Sequence, residues 1–160
     1  MRLIVGAIGK LKTGPEAQLA KRYGERLAQT GRGLGLTGLE VFELPEGKSG
    51  NSDQRKADEA GRLREKIPER AVIIAFDERG RSVSSREFSR MVQKYLDQSV
   101  RDLALLIGGA DGLDASLRDE ASHVFSFGKL TMPHQIVRIL VMEQLYRATT
   151  ILTNHPYHRE

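Results

Sequence analysis

The sequence predicts an α/β layer domain built on a mainly parallel sheet, and three observations carry that expectation. Strand-like and helix-like segments alternate five times along the 160 residues, the pattern of a sheet covered by its own connecting helices. Two strand segments, AVIIAFD and DLALLIG, are apolar on both faces, as strands in the middle of a parallel sheet must be. No repeat, low-complexity tract or linker interrupts the alternation, so one domain over residues 1–160 is expected.

The elements follow in order. RLIVGAI opens as a short apolar strand. Thr13-Gly14-Pro15-Glu16 then starts a helix: Thr13 can cap, Pro15 suits the first turn, and Glu16 stands three residues after Thr13. Leu19, Tyr23 and Leu27 recur at helical spacing. The glycine-rich TGRGLGLTG connects to the strand LEVFELP, and the polar loop EGKSGNSD leads into the helix QRKADEAGRLREKI. After the strand AVIIAFD the segment ERGRS is expected to turn the chain, and Ser84-Ser85-Arg86-Glu87 makes a capping box. Phe88, Met91, Val92, Tyr95 and Leu96 trace one face of the next helix. DLALLIG is the fourth strand, GADGLD a loop, ASLRDEA a short helix, HVFSFG the fifth strand, KLTMP a loop, and Pro133 opens the last helix.

Composition narrows the function classes. Apolar and charged fractions of 39% and 29% are those of an ordinary globular protein. No run approaches the ~20 apolar residues of a membrane helix, and the start of the chain lacks a signal-peptide pattern. With zero cysteines there is no disulfide framework, thiolate nucleophile or cysteine-type zinc site; a cytoplasmic protein without membrane contact is expected. The net charge of +4 is uneven: residues 1–66 carry 13 Lys/Arg against 9 Asp/Glu, and the remainder 12 against 12. Lys21, Arg22 and Arg26 stand in the most basic stretch, a patch suited to a polyanion or to simple solvation.

In the last helix Gln135, Arg138, Glu143, Gln144 and Arg147 scatter round the axis at about 100° per residue. A helix without a continuous polar face is normally buried on more than one side, so a homodimer through it is expected. Three further segments fall where α/β sheets place ligands, beyond the carboxyl ends of strands: FDERG, IGGADG and FGKLTMPH. Gly108-Gly109 allows a tight turn or close ligand approach, though GGADGL lacks dinucleotide-binding spacing. FGKLTMPH mixes Gly128 and Thr131 with Phe127, Leu130 and Met132, a lining suited to a nucleoside or to an ordinary strand-to-helix loop. The terminal NHPYHRE carries His155 and His158 behind an apolar anchor. The pair offers no third metal ligand, which leaves hydrogen bonding or proton transfer near neutral pH, or a solvated tail.

LLIGGADGL, FGKLTMPHQIVRILVMEQLYRA and TNHPYHRE, together with the opening RLIVGAIGK and ELPEGKSGN, resemble the bacterial SPOUT-class ribosomal RNA large subunit methyltransferase H family. The resemblance spans the chain and implies a C-terminal trefoil knot, S-adenosylmethionine as cofactor and a homodimer. It also implies methylation at N3 of a pseudouridine in large-subunit (23S) ribosomal RNA of the assembled ribosome. Cofactor contacts map onto Phe76, Gly108, Phe127, Gly128, Lys129, Leu130, Thr131 and Met132; Phe76 stands where the family pattern has leucine. His155, Tyr157 and His158 become the candidates to orient the base or take its proton. Arg147, Asn154 and Arg159, with Lys21, Arg22 and Arg26, become substrate-binding candidates, while His134 has a structural reading. The alternatives are a SPOUT enzyme for another RNA such as transfer RNA, or a non-catalytic nucleotide- or RNA-binding module; a nicotinamide-dependent oxidoreductase lacks its fingerprint.

Overall fold

The apolar alternation of the first strand decides the layering. In β1 (Arg2–Ile8), Leu3, Val5 and Ala7 pack into one buried cluster, and Ile4 and Ile8 into another on the opposite face. A strand buried on both faces needs helices on both sides. The remaining elements supply them: α1 (Pro15–Gly31), β2 (Gly38–Leu44), α2 (Ser52–Lys66), β3 (Val72–Ser82), α3 (Ser85–Asp97), β4 (Asp102–Ile107), α4 (Ala115–Glu120), β5 (His123–Ser126) and α5 (His134–Leu152). This computed structural model describes residues 1–159; Glu160, the last residue of the expected 1–160 domain, lies outside the described residues.

The five strands form one sheet of order β2-β1-β4-β3-β5, every neighbouring pair parallel. Helices α1, α3 and α5 cover one face, where Ile74, Phe76, Leu103, Leu105 and Ile107 join the cluster of β1. Helices α2 and α4 cover the other, over Ile73, Ala75, Ala104 and Leu106. All carboxyl ends therefore point to one edge, where the three chemistry-bearing segments gather. No helix among the described residues is long and apolar enough to cross a membrane.

Local signals mostly hold. Ser84 accepts from the Glu87 amide at 3.2 Å while Glu87 accepts from the Ser84 amide at 2.8 Å, a complete capping box. At α1 the expected cap is displaced: Gly14 is the capping residue and no side chain bonds the helix end, so Thr13 does not cap. Asn51, absent from the sequence reading, caps α2 through the amides of Asp53 and Gln54.

The segment ERGRS does not simply turn. β3 continues to Ser82, and Arg81 and Ser82 pair with Phe125 and Ser126 of β5 after an irregularity that follows Phe76. Gly80 makes this possible: a Cβ there would lie 2.5 Å from the Phe125 carbonyl carbon, so only glycine fits against β5.

Helix α5 lies between α1 and α3, which explains its lack of a polar face within one chain. Ile139, Val141, Met142, Leu145, Tyr146 and Ala148 are buried there. Thr149 Oγ1 meets Thr30 Oγ1 of α1 at 2.6 Å, and Ser85 of α3 donates to Gln144 at 2.8 Å. Arg138, 1% exposed, is the buried charge of α5: it donates to the carbonyls of Ile8 (3.3 Å) and Gly9 (2.7 Å) and pairs with Glu43. That guanidinium ties the start of α5 to the ends of β1 and β2.

Candidate cofactor cleft and tail cluster

An open cleft of about 800 Å³, counted to its solvent mouth, sits at the carboxyl ends of β3, β4 and β5. Phe76, Gly108, Phe127, Gly128, Leu130, Thr131 and Met132 all line it, as expected, with the 108–112 loop, Glu78, Arg79, His134 and Val137. Lys129 is exposed and outside the lining. Phe76 stacks on Phe127 with ring centroids 5.3 Å apart and planes at 11°, and touches Phe88 and Phe125. An aromatic group thus fills the place of the expected leucine, and the wall it forms is flat and stiff.

Gly108 has a different reason from close ligand approach. A Cβ at 108 would lie 2.5 Å from the Gly112 carbonyl carbon, so the loop's own closure demands glycine. Gly128, at φ +129, has open space where a side chain would stand. Leu130 is 79% exposed on the cleft rim, an apolar surface without cover in the single chain.

Two acids that sequence reasoning left aside hold the loops. Asp77, buried where β3 becomes irregular after Phe76, accepts from the Arg79 amide (3.0 Å) and the Leu113 amide (3.3 Å), and lies 3.6 Å from Arg118. Asp111 accepts from Arg55 of α2 at 2.7 Å, and this bond holds its carboxyl below the usual carboxylate range. The bonds that join separate segments reach partners 36 and 56 residues away, which no local pattern marks. Asp77→Asn, which weakens the junction between two cleft loops, is expected to lower cofactor affinity about tenfold, the loss of one charge-assisted bond; titration calorimetry measures it.

The tail folds back on α5 as one cluster. Asn154, at φ 53, adopts the left-handed conformation that ends the helix, and the next amide returns to Thr150 O at 2.9 Å. The Tyr157 ring lies 4.7 Å from that of Tyr146, and its hydroxyl donates to Glu143 at 3.0 Å and lies 3.5 Å from Tyr23. Burial, then Tyr23 and Glu143, push its phenol far above the ordinary value. Arg147 donates to Glu143 at 2.6 Å, lies 4.8 Å over the Tyr157 ring and 3.4 Å from His158 Nδ1. Burial alone would lower the Arg147 pKa; the Glu143 bonds outweigh it and raise it. His155 Nδ1 accepts from the Tyr157 amide at 3.2 Å, and Arg159 is exposed.

The basic helix joins this cluster. Arg26 of α1 lies 5.9 Å over Tyr146, whose ring neighbours Tyr23 at 6.2 Å. Lys21 and Arg22 are exposed beside it. Glu143 and Tyr23, the groups that dock Tyr157, were invisible as site residues because helical spacing alone gave them packing roles. The tail and the cleft are not brought together within one chain. Glu143 stands nine residues beyond the cleft-lining His134, roughly 13 Å down the helix at a 1.5 Å rise.

A family model described as "Predicted SPOUT methyltransferase" matches residues 1–158. The chain belongs to the SPOUT methyltransferase family. As a SPOUT protein it has the α/β-knot fold, S-adenosylmethionine as cofactor and methyltransferase activity. Among SPOUT relatives, "Ribosomal RNA large subunit methyltransferase H" proteins of Agrobacterium fabrum and Rhodopseudomonas palustris are each 50% identical over 159 residues, covering 99% of both chains. That of Allorhizobium ampelinum is 48% identical over the same share. The chain belongs to this group within the SPOUT family.

The cleft's chemistry fits the cofactor. A neutral adenine needs apolar walls and backbone hydrogen bonds, which Phe76, Ile107, Leu130, Met132 and Val137 and the loop backbones supply. A sulfonium cation needs few competing cations, and Arg79 is the one Lys or Arg among the described lining residues, against Asp77, Glu78 and Asp111.

Proposed function

We propose that the protein methylates N3 of a pseudouridine in large-subunit (23S) ribosomal RNA, acting on the assembled ribosome in the cytoplasm as a homodimer. The observation that carries this reading is the cleft at the strand ends, whose lining suits the cofactor, in a chain 50% identical over 99% of its length to a relative named "Ribosomal RNA large subunit methyltransferase H". When bound there, S-adenosylmethionine supplies an electrophilic methyl group on its sulfonium sulfur.

The protein's own residues then have two tasks, to orient the base and to let its N3 proton leave. Tyr157 is suited to the first. Its raised phenol stays protonated at neutral pH and gives its one proton to Glu143, so it fixes the tail in place as a positioning group and is not a base. His155 and His158 use Nδ1 toward the Tyr157 amide and Arg147 respectively. The neutral tautomers these contacts favour carry the proton on Nε2, a donor for a base carbonyl. Arg159 and Arg147 suit a phosphate or carbonyl.

The distance between tail and cleft along α5 supports a dimer in which one subunit's tail serves its partner's cleft. The uncovered Leu130 on the rim supports the same arrangement. Coexpressing a chain truncated after Asn154 with a full-length Gly108→Val chain is expected to restore transfer that neither variant shows alone. No recovery, or a monomeric sedimentation profile at micromolar concentration, would remove the dimer from the mechanism.

Neutralising Lys21, Arg22 and Arg26 together is expected to weaken ribosome binding and flatten its salt dependence by a slope of about 2. Filter binding across a salt series reads it, and an unchanged slope would take α1 out of substrate binding.

A further inference from the structure

A second, open cavity, of about 570 Å³ counted to its solvent mouth, lies on the α3 side of the cleft, beside the stacked Phe76 and Phe127. Its walls are Phe88, Phe127 and Val83, and its polar groups are Ser82, Ser85 and Gln144. Flat aromatic walls with a few hydroxyl and amide groups are what a base taken out of its stack requires. The cavity shares Phe76, Phe125, Ser126 and Phe127 with the cofactor cleft, so the two spaces adjoin.

Cations run from its rim along α3. Ser82 and Val83 follow Arg81 on the β3 extension, and Ser85 opens α3, where Arg86, Arg90 and Lys94 repeat every fourth residue and are all exposed. At a rise of about 1.5 Å per residue they form a stripe one side chain wide along the helix. Arg81, Arg90 and Lys94 make no ion pair among the described residues. They share one neighbourhood: after its bonds to Ser84, Arg81 and Arg90 help hold the Glu87 carboxyl low, and after burial, Arg81 and Lys94 help pull the His123 imidazole down. Glu87 is itself committed to the capping box.

We infer that this flank is the RNA-strand site of the enzyme: the cavity receives an unstacked pyrimidine-type base, and Arg81, Arg90 and Lys94 hold the phosphates that flank it. This rests on the methyltransferase reading above and adds to it a surface on α3 separate from the basic α1. Base-in-pocket with phosphates on a cationic rim is how proteins hold splayed RNA.

The test uses full-length protein and large ribosomal subunits from cells lacking the modification. Arg81→Gln/Arg90→Gln/Lys94→Gln is expected to cut subunit affinity about tenfold or more and lower the slope of log affinity against log salt by about 2, with S-adenosylmethionine affinity unchanged. Ser82→Trp, which fills the cavity from its rim, is expected to stop methyl transfer while cofactor and subunit still bind. Should that variant lose cofactor binding through misfolding, the charge variant decides alone. Wild-type transfer with unaltered affinity and slope in the charge variant overturns the site and leaves the methyltransferase reading standing. Absence of transfer by the wild-type protein overturns both.

Discussion

A chain shortened after Asn154 is expected to fold, bind S-adenosylmethionine and transfer no methyl group. The cofactor loops owe nothing to the tail: they are held by Asp77, Arg118, Asp111 and Arg55, none of which touches residues 155–159. The truncation removes the Tyr157 ring contacts with Tyr146 and Arg147, the hydrogen bond to Glu143, the Arg147–His158 contact and the His155 amide bond to Thr150, a loss of about 2–4 kcal/mol. Glu143 keeps its pairing with Arg147, so no buried charge is orphaned. Losing every tail group that orients the base is expected to lower the single-turnover rate by about three orders of magnitude, since positioning is the enzyme's principal contribution. Equal cofactor affinity with wild-type transfer would return the tail to a structural role. Tyr157→Phe separates its groups further. Folding raises the phenol's pKa, so its bond contributes stability below the ordinary tyrosine value of about 10 and loses it only as pH climbs through the raised value. The variant's pH–rate profile should therefore keep its shape between neutrality and mild alkali, with a lower plateau.

The second large effect belongs to Arg138. Replacing it with Met keeps most of the volume but leaves Glu43 and the carbonyls of Ile8 and Gly9 without their donor. Burial draws this guanidinium's pKa down and Glu43 opposes the shift, the signature of a charge kept inside by its partner. Breaking such a pair from one side costs about 3–5 kcal/mol, so Arg138→Met is expected to lower urea stability by that order. Changing Glu43 to Leu as well should recover part of the loss. The recovery is partial because Glu43 also accepts from the Leu11 amide at 3.3 Å. If the single variant unfolds like wild type, the latch between α5 and the β1–β2 edge carries no stability.

Much of this architecture was legible because it is local. Doubly apolar strands announced β3 and β4, and the capping box at Ser84 marked the start of α3. The cleft could be read as well, since a parallel sheet must place its strand-end loops on one edge. What escaped depends on partners distant in the chain. The pairing of Arg81 with Phe125 turned an expected turn into strand, and the Asp77 and Asp111 bonds cross 36 and 56 residues. The apolar character of α5 suggested a second copy, yet its place between α1 and α3 accounts for it within one chain. The tail was recognisable as chemistry by composition, but its docking on Glu143 and Tyr23, away from its own cleft, required the fold.

One measurement reaches the centre of this. Ribosomes from cells lacking the modification are incubated with the protein and methyl-labelled S-adenosylmethionine, and the labelled nucleotide is mapped. A single methyl group at N3 of one pseudouridine in 23S RNA is the expected result. No incorporation, or label found instead on free transfer RNA, would contradict the assignment.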